Sequence, residues 1–523
     1  MAAPVYATDL TDIIADMAST TGWTALGGGA GGLVAPETDF YIQGSNCISK
    51  AGWSTSVRGM IYNAGAAVTV PTDGAVMMWI YYWAPNAMDT YAGGGMRMCV
   101  GSSAAAYYEH TVAGSDSLPF AGWFLAAVDP NTATPSFTVG SPTATEQFFG
   151  ATIDVPAGGP SKGQPLGIDA IRYGRTTLTF TNGDLANGYA TFAGAQTFGD
   201  AVTRRWGQLS LRDGAYFMSG FLSLGSAGTA VDFRDSNKVI FIRDHTKVTS
   251  AFNRIEVLNA SSNVDWDNIS ISALGTNSPG TFVVTAGSFD ATNCQFTDMG
   301  TFTFLDSSSA LDCTFRRCGQ IIAPGTDLRG STIASSTVAA NTSALVWDVA
   351  QDPAGELDGM TFTKGINAHH AIEFGTTSPT TITLNDITFT GFGTSNNAND
   401  SVLHIKRTTG AVTINTSGVS GTVSYRTDGA TVSIVNSTTL TLTGLKNPTE
   451  VRIFNAGTTT AIAGEENVTS GTYTTGIDAA TYPSVDIAII SLGYQNLRLL
   501  AVDTTSNVSI PIQQVIDRQY LNP

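Results

Sequence analysis

Histidines and carboxylates are the side chains whose spacing could support chemistry here, and the histidines are few: five His against 42 Asp plus Glu in 523 residues. His369-His370-Ala371-Ile372-Glu373 has the look of a metal motif. On a strand, however, alternation puts His369 and Glu373 on one face and His370 on the other. Two ligands fall short of the three or four that zinc takes, so the expectation is solvated residues on a sheet wall and no metal site. His404 and the pair Asp244-His245 have no Ser or Cys motif beside them. Two carboxylates on adjacent strands can cleave a glycosidic bond, one as acid and one as base or nucleophile. Asp265, Asp267, Asp290 and Asp298 are the candidates for such a pair. Aromatic side chains combine an apolar face with polar tips, and Trp79, Trp83, Tyr107 and Tyr108 are the candidates for a glycan platform. Alternation splits Trp79, Tyr81 and Trp83 from Ile80 and Tyr82, so at least one set belongs to a core, and sandwich core is the favoured assignment. Calcium is the one ion admitted, through Asp73, Asp116 or Asp129 at loop tips, although no run has the spacing of a dedicated calcium loop. No other cofactor is implied.

Cys47, Cys99, Cys294, Cys313 and Cys318 form no paired CxxC, and an odd number argues against a disulfide framework. Only 13% of residues are charged, against roughly 25% in ordinary globular chains. With 71 Thr, 56 Gly and 7 Lys, the composition suits many short strands and turns better than surface helices. The net charge of −17 makes a phosphate-tracking surface, and hence a nucleic-acid partner, a poor expectation. The longest apolar run, Val76 to Ala84, is far short of the roughly 20 residues that cross a bilayer, so no membrane partner is expected. The opening Met1-Ala2-Ala3-Pro4-Val5-Tyr6 lacks a basic stretch followed by an apolar one, which predicts no secretory signal.

The elements that position these residues can be read in order. Leu10, Ile13, Ile14 and Met17 fall at helical spacing, predicting a short N-terminal helix within 1–22 that docks on a partner. From 23 to 199, strand-like runs (Val76 to Trp83, Met96 to Val100, Trp123 to Val128, Leu178 to Thr181) alternate with turn signals, the pattern of a two-sheet sandwich. The region 200–446 carries a repeat. Phrases ending at Ile271, Phe296, Phe315, Ile333, Phe362 and Phe389 are 25, 19, 18, 29 and 27 residues apart. Two positions before each end stand Ile269, Cys294, Cys313, Ser331, Met360 and Ile387; three before stand Asn268, Asn293, Asp312, Gly330, Gly359 and Asp386. The first two columns suit inward strand positions, and the third holds only residues that tolerate a left-handed backbone. This predicts a parallel solenoid with coils from about Ala230 to Leu442, Phe315 lying between Phe296 and Ile333, and Cys294 stacked on Cys313 as buried thiols. From 447 to 523 the alternation predicts a small antiparallel sandwich.

The fold class expected is therefore all-β: an N-terminal jelly-roll sandwich, a central right-handed parallel β-helix and a small C-terminal β-sandwich. The runs "GAVMMWIYYW", "GMRMCVGS", "GWFLAAVDP" and "GIDAIRYG" resemble concanavalin-like jelly rolls, and the C-terminal stretch "VRIFNAGTTTAIAGEENVTSGTYTT" resembles modules of tailed-bacteriophage virion proteins. That resemblance implies a spike, fibre or decoration protein, made in the host cytoplasm and displayed on the virion surface. It further implies a homotrimer with other virion proteins as partners and a host cell-surface glycan as ligand. The alternatives are a tailspike-like polysaccharide depolymerase and a bacterial surface adhesin.

Overall fold

The computed structural model describes residues 3–14, 17–27, 33–42, 44–50, 58–72, 74–82, 95–113, 122–154, 166–175, 177–183, 188–197, 209–212, 214–242, 245–247, 253–273, 280–479 and 481–517. Trp83, Asp73, Asp116 and Asp244 lie outside them. The chain divides into two compact units, Met1–Ile321 and Ile322–Pro523, and among the described residues the only α-helix is Phe192–Thr197.

In the first unit, two sheets face each other. One runs His245–Lys247, Gly122–Val128, Ala75–Tyr82, Leu166–Gly174, Cys47–Lys50, Leu33–Glu37; the other runs Phe137–Val139, Ala106–Ala113, Gly95–Ser103, Glu146–Asp154, Arg58–Val68, Trp23–Leu26. Alternation directs Val76, Met78, Ile80 and Tyr82 from one sheet, and Met96, Met98 and Val100 from the other, into a shared core. The opposite set, Met77, Trp79 and Tyr81, is buried as well, in an outer layer with Trp123. Phe40 closes that layer, its ring 4.1 Å from Tyr81 and 6.1 Å from Trp123. Both alternating sets are thus interior, which explains the unbroken apolar run.

The N-terminal stripe is not a helix. Val5–Thr8 is a strand antiparallel to Thr177–Thr181, and Thr11–Asp12 pairs with Leu166–Gly174. Leu10 enters the outer layer beside Trp79, and Met17, Ile13 and Ile14 pack on the inter-sheet core. A helix of ten residues is marginal alone, whereas an open sheet edge offers a ready ladder of hydrogen bonds. The stripe therefore serves the chain's own core.

The same unit holds stacked parallel coils, and they begin earlier than Ala230. Thr177–Thr181, placed in the sandwich by its sequence, instead leads a parallel series through Phe221–Leu224, Arg254–Val257 and Thr281–Val284. A second series stacks Val239–Ile242, Ser270–Ala273, Gln295–Thr297 and Thr314–Arg316, and a third stacks Asp232–Ser236, Asn263–Asp267, Ser288–Thr292 and Ser309–Leu311. Ile271, Phe296 and Phe315 are consecutive register partners, with the two phenyl rings 5.1 Å apart and nearly parallel at 14°. Cys294 and Cys313 are buried and form no disulfide, each thiol donating to a backbone carbonyl: Cys294 to Thr292 at 3.5 Å and Cys313 to Leu311 at 3.3 Å.

In the second unit the register Ile333–Phe362–Phe389 continues coil by coil. There Ser343–Trp347, His370–Phe374, Leu403–Ile405 and Tyr425–Thr427 form a parallel wall. All six residues of the third column have positive φ: Asn268 53°, Asn293 56°, Asp312 52°, Gly330 69°, Gly359 75° and Asp386 55°. Asn237 (φ 54°) is a further such corner, hidden in the sequence because Lys238 occupies its apolar column. The Asn268 amide donates to Asn237 Oδ1 at 2.7 Å, so the corners also tie coil to coil. Strand Thr431–Thr443 ends the series: its first half is parallel to Ala411–Ser417 and its second antiparallel to Thr472–Asp478. From there a C-terminal sandwich packs around Leu440, Leu442, Val451, Ile453, Ile487 and Ile489.

Candidate functional site

The Ala106–Ala113 strand carries side chains of an open polar site. Its register pairs Tyr108 with Val100 and His110 with Met98, which places both on the inward side, while Tyr107 and Glu109 pair with Gly101 and Cys99 on the outward side. A Cβ on Gly101 would lie 2.4 Å from the Tyr107 Cα, so only glycine allows this approach. On the outward side Arg97 Nη1 donates to Glu109 Oε2 at 2.8 Å, Thr152 Oγ1 donates to Glu109 Oε1 at 2.9 Å, and the guanidinium sits 4.2 Å from the Phe137 ring centre.

Beside these strands the chain segments at 130–135 and 143–145 leave a space against Val100, Tyr108 and His110. A cavity of about 450 Å³ opens there, with Tyr108, His110, Asn131, Thr145 and Glu146 among its walls and Val100, Pro130 and Pro135 as apolar lining. Its size lies within the usual range for small-molecule sites. The loop that roofs it is fixed by Asp129, whose carboxylate accepts from the Asn131 N–H at 2.9 Å and from the Thr132 hydroxyl. Asn131 Nδ2 donates to the Pro71 carbonyl at 3.1 Å, which leaves its side-chain oxygen as an acceptor. Burial, abetted by the charge of Asp129 and opposed by the Val70 N–H, pushes the Glu146 carboxyl up to about 7. Near neutrality such a group both donates and accepts hydrogen bonds, which suits hydroxyl-rich ligands.

Of the glycan candidates, Tyr108 lines this cavity. Trp79 and Tyr107 are buried, 4% and 7% exposed, and present no platform. Trp83 lies outside the described residues. Asp129 spends its carboxylate on its own loop, and among the described residues no three His, Cys, Asp or Glu gather as a metal set.

The four aspartates separate. Asp265 and Asp290 are register partners on adjacent coils, about 4.8 Å apart at the backbone, with Arg234 on the preceding coil and Ser309 on the next. Ser309 Oγ donates to Asp290 Oδ1 at 2.7 Å. Asp267 pairs instead with Thr292. Asp298 takes a bidentate bond from Arg317, at 2.6 and 2.7 Å, and is a structural ion pair away from the Asp265–Asp290 ladder.

In the second unit, His369 and His370 are fully buried, not solvated as the alternation suggested. His369 Nε2 accepts from the Gly365 N–H at 3.0 Å and its Nδ1 donates to the His370 carbonyl at 2.9 Å. His370 Nδ1 donates to the Ser401 carbonyl at 2.6 Å, its ring centre 4.9 Å from that of His404. Burial pushes His370 down to about 4. Glu373, His404 and Arg426 are successive register partners. His404 Nε2 is 3.0 Å from Asp428 Oδ1 and Nδ1 is 3.6 Å from Glu373 Oε2. The His404 side chain between them holds both carboxyls below their usual range. With its side chain 5% exposed, His404 is closed to a polymer, and the group is a charge network within the wall.

Sequence reading missed His110, Glu146 and this network. The signal for His110 was its place in "AYYEHTVA", on the apolar side with Val112; that for His404 was its spacing of one coil from Glu373.

No family model matches the chain, and no curated protein matches it. Among solved structures it is similar to a carbohydrate-binding module of the β-sandwich superfamily, at 12% identity and TM-score 0.22 over 30% of this chain and 58% of that one. It is similar also to the family 11 carbohydrate-binding module of Clostridium thermocellum in complex with a mixed-linked tetrasaccharide, at 12% identity and TM-score 0.21 over 32% of this chain and 94% of that one. A third is the catalytic domain of a GH87 α-1,3-glucanase in complex with nigerose, at 10% identity and TM-score 0.18 over 82% of this chain and 95% of that one. The first match thus spans little more than half the length of its relative. Likenesses this slight say nothing about what this chain binds.

Proposed function

We propose that the chain is a structural protein of a tailed-phage virion, displayed on the particle surface as a spike, fibre or decoration, whose sandwich holds a host cell-surface glycan. The observation that carries the binding role is the cavity at Tyr108, where an aromatic face, apolar prolines and the hydrogen-bonding groups of His110, Asn131 and Glu146 converge. The structural role is supported by the stacked parallel coils and by a composition with few charges. Assembly as a homotrimer beside other virion proteins belongs to the same reading. In the test, the full chain is incubated with purified envelope polysaccharides of the host. Binding that falls at least about tenfold in Tyr108→Ala supports the reading; undiminished binding by that variant removes the cavity from it.

A second reading, a depolymerase, is favoured by one observation: Asp265 and Asp290 lie side by side on adjacent coils. Release of new reducing ends from the same polysaccharides, abolished in Asp290→Asn, would establish it. Binding without release leaves the structural reading standing.

A further inference from the structure

We propose that the sandwich cavity discriminates by charge, accepting neutral and amino sugars and rejecting sugars that carry an acidic group; this rests on the glycan-binding reading above. The walls supply Tyr108, His110, Asn131, Thr143, Thr145 and Glu146 as polar groups, and among the described residues no Lys or Arg lines the space. Arg97 belongs to the neighbouring strand's outward side, where Glu109 holds it at 2.8 Å. A ligand carboxylate or sulfate would therefore enter without a Lys or Arg partner, beside Glu146 and close to the Asp129 carboxylate. An anion buried without a partner is strongly disfavoured. A hydroxyl-bearing neutral ring meets the opposite situation. Glu146, resting near its midpoint at about 7, can keep its proton and donate to a ring oxygen or hydroxyl, or lose it to an incoming ammonium. The tyrosine ring and the prolines cover the apolar faces of the sugar. A volume of about 450 Å³ admits a mono- or disaccharide, so recognition is of a chain end or short branch.

Saturation-transfer NMR on the full chain would compare glucose, galactose, N-acetylglucosamine and glucosamine with glucuronic and galacturonic acids. The expected result is transfer to the neutral and amino sugars, lost in Tyr108→Ala, with the acids at least about tenfold weaker. Glu146→Lys should reverse the preference, with Glu146→Gln as the milder variant and far-UV circular dichroism confirming the fold of each. Acids bound as tightly as neutral sugars, with the signal still dependent on Tyr108, overturn the charge selection and leave the glycan-binding reading intact. Absence of any Tyr108-dependent transfer across the whole set overturns the reading itself, and the inference with it.

Discussion

Two titratable residues, the half-buried Glu146 and the buried His370, have opposite consequences for stability. Glu146 in the folded chain releases its proton near 7 rather than near 4.5. The folded state therefore holds that proton longer, and its contribution is full below 4.5 and lost as pH rises through 7. Glu146→Gln should flatten this part of the profile, measured by thermal unfolding between pH 4.5 and 8; an unchanged slope would mean that the carboxyl is hydrated. His370 runs the other way. Its folded value of about 4 lies below the ordinary 6.5, so the unfolded chain takes up the proton first and stability falls as pH drops from 6.5 towards 4. Glu373 and Asp428, both held below their usual range, extend the loss into stronger acid. His370→Gln should remove the component between 6.5 and 4, and a wild-type slope in that variant would contradict the assignment.

Strands and corners were the most legible elements, because their constraints are local. A residue forced into the left-handed region must be Asn, Asp or Gly at small cost, and the column Asn268, Asn293, Asp312, Gly330, Gly359, Asp386 showed that restriction directly. Around Gly359 a Cβ would meet nothing closer than 3.7 Å, so space is adequate and backbone strain alone decides. Gly359→Val should therefore lower the melting temperature clearly while Gly359→Asn leaves it nearly unchanged; equal effects would place the cost elsewhere. Phe315, fully buried against Phe296 and Phe302, should cost about 3–5 kcal/mol when cut to Ala, as read by denaturant unfolding. The N-terminal stripe was not legible, because strand pairing at an existing edge outweighed a helical period of only four apolar residues. Trp79 and Tyr81 are buried as their sequence favoured, but that both alternating sets are interior was not legible, since a second apolar layer on the outside of a sheet leaves no mark in alternation. The cavity was half legible: Tyr108 stood among the aromatics, but Glu146 comes from a strand 38 residues onward and the meeting is made by the fold.

At the scale of the whole molecule, a chain with 67 charged residues in 523 has little electrostatic means of attracting a partner and must recognise it by shape and hydrogen bonds. The proposed homotrimer predicts a mass near three times that of the chain by light scattering after gel filtration; a clean monomer at micromolar concentration would weaken the fibre reading and leave the cavity unaffected. The central claim is that the sandwich mouth holds a sugar. Crystals of the full chain soaked in N-acetylglucosamine test it most directly. The account predicts difference density against the Tyr108 ring and within hydrogen-bonding distance of Glu146. A filled site elsewhere, for instance along Asp265 and Asp290, with the mouth empty, would contradict it.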